Sequence, residues 1–485
     1  MNPIAEAQFH PHSYGFRNNR SAKDAIARFN YMAKTENMHF AVDIDISGFF
    51  DNVNHAKLLK QLWTMGFRDK NLLMVLKKML NAEIVGEGVP DKGTPQGGIL
   101  SPLLANIVLN ELDWWISSQW ETMITNDYQY SNKGKQDRAL KRTKLKRFYL
   151  IRYADDFKIV CPDFETANKI FIATKKWLKE RLYLEISEEK SQITNMRKRY
   201  SEFLGIKVKV KIKGRNAKGE NTFVTTSRIQ KKARENIRKK LKEGISEILR
   251  QPTRINVQHK YNAIILGVHQ YYKMASNVSL DFKELEYSLS RYLYNRLRDI
   301  AIIEKPKQGI DKTYDNIYGK NKSKTFRINN VYLFPISGVS YTPPMNYTQD
   351  ICDYTVMGRA KIHTRLGLSH NIIKYLMENP VKNETNEFND NRISLFCGQM
   401  GKCAITGTLL KVGSMEVHHK IPRNLGGTDE YKNLLFVTNE VHKLIHASNQ
   451  STISKYLNII NPTSKQLGKI NDLREIVGNY KLGGI

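Results

Sequence analysis

The chain is short of cysteine, of long apolar runs and of acidic charge, and each shortage excludes something. Its four cysteines, Cys161, Cys352, Cys397 and Cys403, are too few and too scattered for a disulfide framework. That favours a reducing interior, cytoplasmic or nucleoid. No apolar run is long enough to span a bilayer. The N-terminal stretch MNPIAEAQFHPHSYGF has no signal-peptide core. Asp and Glu number 47 against 77 Lys and Arg, a formal net charge of +30. Such an excess repels itself unless a polyanion neutralises it, which puts nucleic acid ahead of an anionic membrane as partner. What is plentiful is ordinary globular material: 485 residues, 41% hydrophobic, enough for about three domains.

Hydrophobic periodicity orders the chain. In SAKDAIARFNYMAK, Ser21 and Asp24 have capping-box spacing, and Ala22, Ala25, Ile26, Phe29 and Ala33 form a helical stripe. HFAVDIDIS reads as a buried strand, and HAKLLKQLWTMGF as a helix stopped near Gly66. SPLLANIVLNELDWWISSQW predicts a helix with Ser101 at the cap and Pro102 opening the first turn. Residues 131–147 are basic and polar, an exposed arm. FYLIRYADDFKIVC is two apolar runs broken by Ala-Asp-Asp, a hairpin signal. A helix follows over about 164–182, then a short strand pair near 200–212. From Ser227 to about Ile302 the pattern is helical and strongly basic, with Ile229, Ala233, Ile237, Leu241, Ile245 and Ile248 on one face. Residues 303–396 read as irregular, and about 397–450 form a short His- and Gly-rich unit.

Two constellations carry chemistry. Asp43 and Asp45 share one face of a strand, and Asp155 and Asp156 sit at a hairpin tip. An Asp pair in a turn is ordinarily turn chemistry. Here apolar strands flank it, and another strand upstream buries Asp, which is expensive without a cation. Two-metal nucleotidyl transfer needs such converging carboxylates, with ions about 4 Å apart. The second constellation is EVHHKIP, bearing His418 and His419, then Gly426-Gly427, then Asn433, then VHKLIH, whose His442 and His446 lie one helical turn apart. A lone surface histidine means nothing; four with Asn and Gly-Gly in about thirty residues suit one divalent ion and one base that activates water. In residues 227–302, Tyr interleaves with Lys and Arg, which suits phosphates and unpaired bases, although a solvated basic bundle has the same pattern.

Four blocks, SYGFRNNRSAKDAI, DISGFFDNVNH, GTPQGGILSPLLANIVLNELD and YADD, resemble successive blocks of group II intron reverse transcriptases. The likeness covers roughly residues 3 to 450. It implies that Asp45, Asp155 and Asp156 bind Mg²⁺ as the catalytic triad, with Asp43 a strand neighbour. It implies that Phe50 excludes a ribose 2′-hydroxyl, although core packing would use the same residue. By the same likeness Gln96 and Gly97 touch incoming nucleotide and template, Arg17 touches the triphosphate unless it is structural, Lys190 stabilises charge there, and Phe203, Leu204 and Gly205 form a primer grip. The C-terminal constellation resembles the HNH nucleases. That likeness makes His419 the general base, makes His418, His442 and His446 ligands of a divalent metal, Mg²⁺ first, and has Asn433 orient the loop bearing the base. Thr406 stands where relatives have a second cysteine, so no structural zinc is expected, and Cys403 is a small core residue.

Taken together, the likeness implies an α+β multidomain chain: a right-hand polymerase with partial fingers and palm at 1–212, a helical thumb and maturase bundle at 213–305, a DNA-binding or linker region at 306–396, a C-terminal ββα-metal HNH endonuclease at 397–450 and a tail at 451–485. The implied partners are group II intron RNA, target DNA, an RNA template with a DNA primer, and dNTPs, with no membrane. Asn18 and Asn19 replace the family's Pro and Gly, and the family's earliest blocks are missing. The chain therefore reads as N-terminally truncated, its remaining fingers supplied by a separate polypeptide if at all. The alternative is a maturase or an HNH homing endonuclease whose polymerase is inactive.

Overall fold

The computed structural model describes residues 1–83, 86, 88–95, 97–123, 130–344, 351–365 and 367–483. The chain divides into two compact units, residues 1–349 and 350–485.

The first unit opens with helices α1 (Asn2–Gln8) and α2 (Ala22–Thr35), strand β1 (Phe40–Ile44), then α3 (His55–Thr64), α4 (Lys70–Leu80), α5 (Ser101–Ser118) and α6 (Lys133–Leu140). The capping box is present on α2: the Asp24 carboxylate accepts from the Ser21 amide at 2.8 Å and from its hydroxyl at 2.7 Å. Gly66 follows α3 at φ +98°, a conformation that halts a helix. At α5 the cap is Leu100, not Ser101; Ser101 sits inside the first turn and its hydroxyl donates back to the Pro95 carbonyl. The basic stretch 131–147 is not a bare arm, because α6 forms within it and buries Leu140.

Strands β2 (Tyr149–Tyr153) and β3 (Asp156–Cys161), helix α7 (Phe164–Trp177) and strand β4 (Gln192–Asn195) follow. They complete an antiparallel sheet ordered β2-β3-β1-β4. Both faces of this sheet are covered, so its strands read as continuous apolar runs. Ala41, Tyr149, Ile151 and Val160 point to one core with α2. Val42, Ile44, Leu150, Phe157 and Ile159 point to another with α3, α5 and α7.

The strand pair expected near 200–212 is a longer three-stranded sheet of β5 (Ser201–Phe203), β6 (Ile206–Arg215) and β7 (Asn221–Ile229). Ile229 therefore ends a strand rather than opening the helical stripe. Helices α8 (Lys231–Arg250), α9 (Ile255–Tyr272) and α10 (Val278–Leu297) form the basic bundle, with Ile237, Leu241, Ile245 and Ile248 inward. The region after it, expected to be irregular, is ordered into β8 (Ile302–Glu304), α11 (Lys312–Tyr318), β9 (Thr325–Ile328) and β10 (Val331–Tyr332). It docks on α9: Asn262 donates to the Tyr332 carbonyl and accepts from the Phe334 amide, both at 2.8 Å.

The second unit holds α12 (Val356–Arg365), α13 (His370–Glu378), α14 (Asn386–Gly398), β11 (Met415–His419), β12 (Leu434–Thr438), α15 (Asn439–His446), α16 (Gln450–Ile460) and α17 (Ser464–Ile476). β11 and β12 pair antiparallel. One core joins Ile373, Leu376, Phe388, Leu395, Phe436, Val441, Leu444, Ile470 and Leu473. The segment after 451 is thus not a tail. Arg474, fully buried, donates to the Leu444 carbonyl at the end of α15 and to the Tyr480 carbonyl at 3.0 Å. Such a cation satisfies carbonyls that a helix end leaves bare.

Candidate active sites

Strand register builds the first site. In the β1–β3 ladder Asp43 faces Lys158 and Ile44 faces Phe157. One residue further, Asp45 comes opposite Asp156, beside the β2–β3 turn that carries Asp155. The three carboxylates expected to act together therefore meet at one end of the sheet. The backbone of Asp45 is pinned there: its carbonyl accepts from the Ser187 amide at 2.7 Å, and its amide donates to the Ser191 hydroxyl at 3.1 Å. Lys190 Nζ lies 3.5 Å from Asp45 Oδ2, with its side chain open to solvent. Protein mass crowding Asp156, reinforced by the charges of Asp43, Asp155 and Asp45 and opposed by Lys158, pushes its carboxyl up to about 6. Asp43 sits behind this group in an ion pair with the buried Lys158. Asp43, expected to be a strand neighbour of the triad, thus has a cation of its own in Lys158. Lys158 was not legible as a partner, because a lysine in a strand is ordinarily a solvated one.

The surroundings divide the other expected residues. Phe50 is half-buried, its carbonyl accepting from Thr94 at 2.7 Å, so it is tied to the loop bearing Gly97. A cleft of about 720 Å³ opens beside that loop, lined by Asp51, Leu80, Lys92, Gly93, Thr94 and Pro95. Gly97 has φ +82°, and Gln96 lies outside the described residues. Arg17 is a correction. It is buried, with Nε donating to Glu6 at 2.8 Å and Nη1 to the His10 and Ser13 carbonyls at 2.7 and 2.9 Å. A guanidinium so committed ties α1 to the next loop and is not offered to a triphosphate. Phe203 is likewise core, 6.0 Å from the Phe29 ring. What the 203–205 segment presents is its turn: Leu204 at φ +49° and Gly205 at φ +76°, with Tyr271 Oη donating to the Leu204 carbonyl at 3.0 Å.

The second site is tighter. His418 on β11 and His442 and His446 on α15 have ligand atoms all within 4.8 Å of one another. Among the described residues this is the set of candidate ligands gathered so closely; the three aspartates are not. His418 is buried, and its Nε2 has no hydrogen-bond partner among the described residues. Burial and the two neighbouring imidazoles lower His418 to about 3, so it is neutral and free to ligate. Glu416, two residues earlier on the same strand face, holds His442 Nδ1 at 2.6 Å, a carboxylate orienting an imidazole. An unpaired buried nitrogen and three neutral imidazoles fit a divalent ion.

His419 leaves the other face of β11 and stacks on Phe388, ring centroids 5.6 Å apart. Its Nε2 bonds Asp429 Oδ1 at 2.8 Å. Burial alone would raise Asp429, but hydrogen bonds from His419, Thr385 and Arg423 outweigh it and hold the carboxyl at about 2. The dyad leaves His419 Nδ1 as the atom able to take a proton. Asn433 closes the intervening loop by accepting from the Ile421 amide at 2.9 Å and donating to the Ile421 and Thr428 carbonyls at 3.1 and 2.8 Å. Gly427 is obligatory, since a Cβ would lie 1.8 Å from the Ile421 oxygen. Asp429 and Glu416 were missed. Asp429's signal was its place after Gly-Gly-Thr, and Glu416's was period two from His418.

Residues 1–208 match the family described as reverse transcriptase (RNA-dependent DNA polymerase). The chain is similar to the group II intron-encoded protein LtrA of Lactococcus lactis, 29% identical over 373 residues, covering 64% of this chain and 60% of that protein. It is also similar to protein YkfC of Escherichia coli, 29% identical over 249 residues (47% of this chain, 61% of the relative). A COX1/OXI3 intron 1 protein of Saccharomyces cerevisiae is 25% identical over 349 residues (61% and 41%). The chain thus spans about three fifths or less of the length of these relatives. Among solved structures, telomerase from Candida albicans aligns over 61% of this chain and 52% of its own at 14% identity and a TM-score of 0.31, too low to bear on function.

Proposed function

We propose that this chain is an RNA-directed DNA polymerase of the group II intron-encoded type, joined to an RNA-binding helical bundle and an HNH-type DNA endonuclease. The observation that carries the reading is the meeting of Asp45, Asp155 and Asp156 at one sheet end, within a segment that matches reverse transcriptases. Oxygen donors of this kind favour Mg²⁺, and bound ions there would supply the charge that activates a primer 3′-hydroxyl and steadies departing pyrophosphate. The chain's own residues do the holding. Ser187 and Ser191 fix Asp45; Lys190, beside Asp45, would meet the triphosphate, and Phe50, tied to Thr94, would sense the sugar.

The maturase part rests on an exposed stripe on α10. Tyr287, Arg291, Tyr294 and Arg298 fall at helical spacing, with Tyr287 85% exposed. Exposed Tyr between Arg is poor core and good footing for unpaired bases and phosphates, which suits structured intron RNA. The nuclease part rests on the His418, His442 and His446 cluster beside the His419–Asp429 dyad. There His419 would take the proton from water, and Asn433 keeps its loop in place. Such a chain would copy intron RNA from a DNA primer exposed by nicking the target. The second reading, a maturase or homing endonuclease with an inactive polymerase, is favoured by the looser gathering of the aspartates relative to the histidines.

Primer extension on a primed RNA template with Mg²⁺ and dNTPs separates the two. Product that vanishes in the Asp155→Ala, Asp156→Ala variant is expected. Absence of product from a folded, RNA-binding chain overturns the polymerase. Metal-dependent nicking of duplex DNA that is lost in His419→Ala is the matching test of the nuclease.

A further inference from the structure

The Ala154 backbone sits at φ +59°, a left-handed conformation that a side chain disfavours, immediately before Asp155 and Asp156. Something must hold it. Beneath the turn lies Arg152, fully buried, and its guanidinium is divided among three partners. Nη1 donates to the Ala154 carbonyl at 2.8 Å and to Asn106 Oδ1 at 2.9 Å. Nε and Nη2 grip Asp113 at 2.7 and 2.6 Å. Asn106 and Asp113 are seven residues apart on α5 and so share a face of that rigid helix.

The same asparagine also reaches the other support. Its Nδ2 donates to the Gly15 carbonyl at 2.9 Å. Gly15 lies against the turn so closely that a Cβ there would be 2.3 Å from the Ala154 amide nitrogen. The neighbouring residues repeat the attachment, the Tyr14 amide donating to the Arg152 carbonyl at 2.8 Å and the Arg152 amide to the His12 carbonyl at 3.0 Å. The hairpin tip is therefore clamped from below by α5 through Arg152 and by the 12–15 segment through Gly15.

The geometry points to Arg152, held by Asp113 and Asn106, as a positioning residue that locks the Ala154 carbonyl and so sets the direction in which the Asp155 and Asp156 carboxylates leave the turn. This rests on the polymerase reading for its purpose, though not for its geometry. A buried ion pair is weak evidence of stability, since apolar residues of like volume can replace it without loss. The tether to Ala154 is what such a replacement cannot reproduce. Carboxylates that must meet metal and substrate together lose far more from a small misdirection than from a modest change in stability.

The test is Arg152→Leu with Asp113→Leu, which removes the buried charges together, alongside Asn106→Ala, which leaves the ion pair and the tether to Ala154 and releases the links from Asn106 to Arg152 and to Gly15. Two readouts are taken on the full chain. Luminescence titration with Tb³⁺, a hard ion that selects oxygen ligands, reads the carboxylates directly, with Asp155→Ala, Asp156→Ala as the blank. Primer extension reads kcat and KM. The double variant is expected to keep its melting transition, weaken Tb³⁺ about tenfold, and lose about 100-fold in kcat with KM for dNTP little changed. Asn106→Ala shifts the same readouts in the same direction by less. A folded double variant with the parent's Tb³⁺ affinity and kcat overturns the proposal. If the double variant does not fold, unchanged Tb³⁺ binding in Asn106→Ala overturns it instead. Where the parent chain extends no primer, the polymerase reading fails alone, because Tb³⁺ affinity still decides whether Arg152 orients the carboxylates.

Discussion

Replacing His269 with glutamine should remove a specific pH dependence from the stability of the first unit. His269 is nearly fully buried on α9, bonded through Nδ1 to Tyr318 Oη at 2.7 Å and through Nε2 to the Ile336 carbonyl at 2.8 Å. The neutral ring satisfies both partners, Nε2–H donating to the carbonyl and Nδ1 accepting from the hydroxyl. Burial, partly offset by the Ile336 carbonyl, lowers its pKa from 6.5 to about 4. Between those values the unfolded chain binds a proton that the folded chain refuses, so stability is full above pH 6.5 and falls with acidification until about 4. At pH 5 the gap is about one and a half pKa units, or about 2 kcal/mol lost relative to pH 7. The assay is urea unfolding at both pH values, comparing the parent with His269→Gln so that other titrating groups cancel. The parent should lose about 2 kcal/mol more than the variant on acidification. Equal losses, or a parent that gains stability at pH 5, would refute the burial argument.

Three other outcomes follow from the same geometry. Mn²⁺ at about 100 times its dissociation constant should stabilise the 350–485 unit by about 2.7 kcal/mol, seen as a rise in its calorimetric melting transition; chelator, or His442→Ala with His446→Ala, should abolish the rise. Asp429→Asn keeps the shape beside His419 but offers an amide where a carboxylate was, so nicking should fall about 100-fold or more with duplex binding retained; unchanged nicking would remove Asp429 from the dyad's work. Asp43→Ala leaves Lys158 buried and unpaired and should cost about 3 kcal/mol or more in urea unfolding, whereas Asp43→Leu with Lys158→Met should recover most of it; a single variant as stable as the parent would show that water reaches the lysine.

Much of the molecule could be read locally. The capping box of Ser21 and Asp24, the stop at Gly66, the hairpin of YADD and the His442–His446 spacing each depend on a few neighbouring residues. Local chemistry decides them, and the structure keeps them. What escaped was whatever is settled by a distant partner. Residues 303–340 have little periodicity of their own and order by docking on Asn262 and His269. The segment after 451 becomes two helices because the second unit's core needs Ile470 and Leu473. Arg17 carried no mark to distinguish a triphosphate contact from an interior one, and only Glu6 and two carbonyls across a turn decided the matter.

The division is the same at the sites. By itself the sequence determined which residue types stand ready: carboxylates on a strand and at a turn, histidines at strand end and helix face, and a basic excess that asks for polyanions. Short-range spacing and net charge suffice for that. Tertiary structure alone decided which charges are spent and which are free. Lys158 consumes Asp43 and leaves Asp45, Asp113 consumes Arg152 beneath the turn that carries Asp155 and Asp156, and Asp429 arrives beside His419 while Glu416 arrives beside His442. A buried charge must find its counterpart wherever the fold brings one, and residues 39 or 115 positions apart leave no trace of that pairing in the order of the chain.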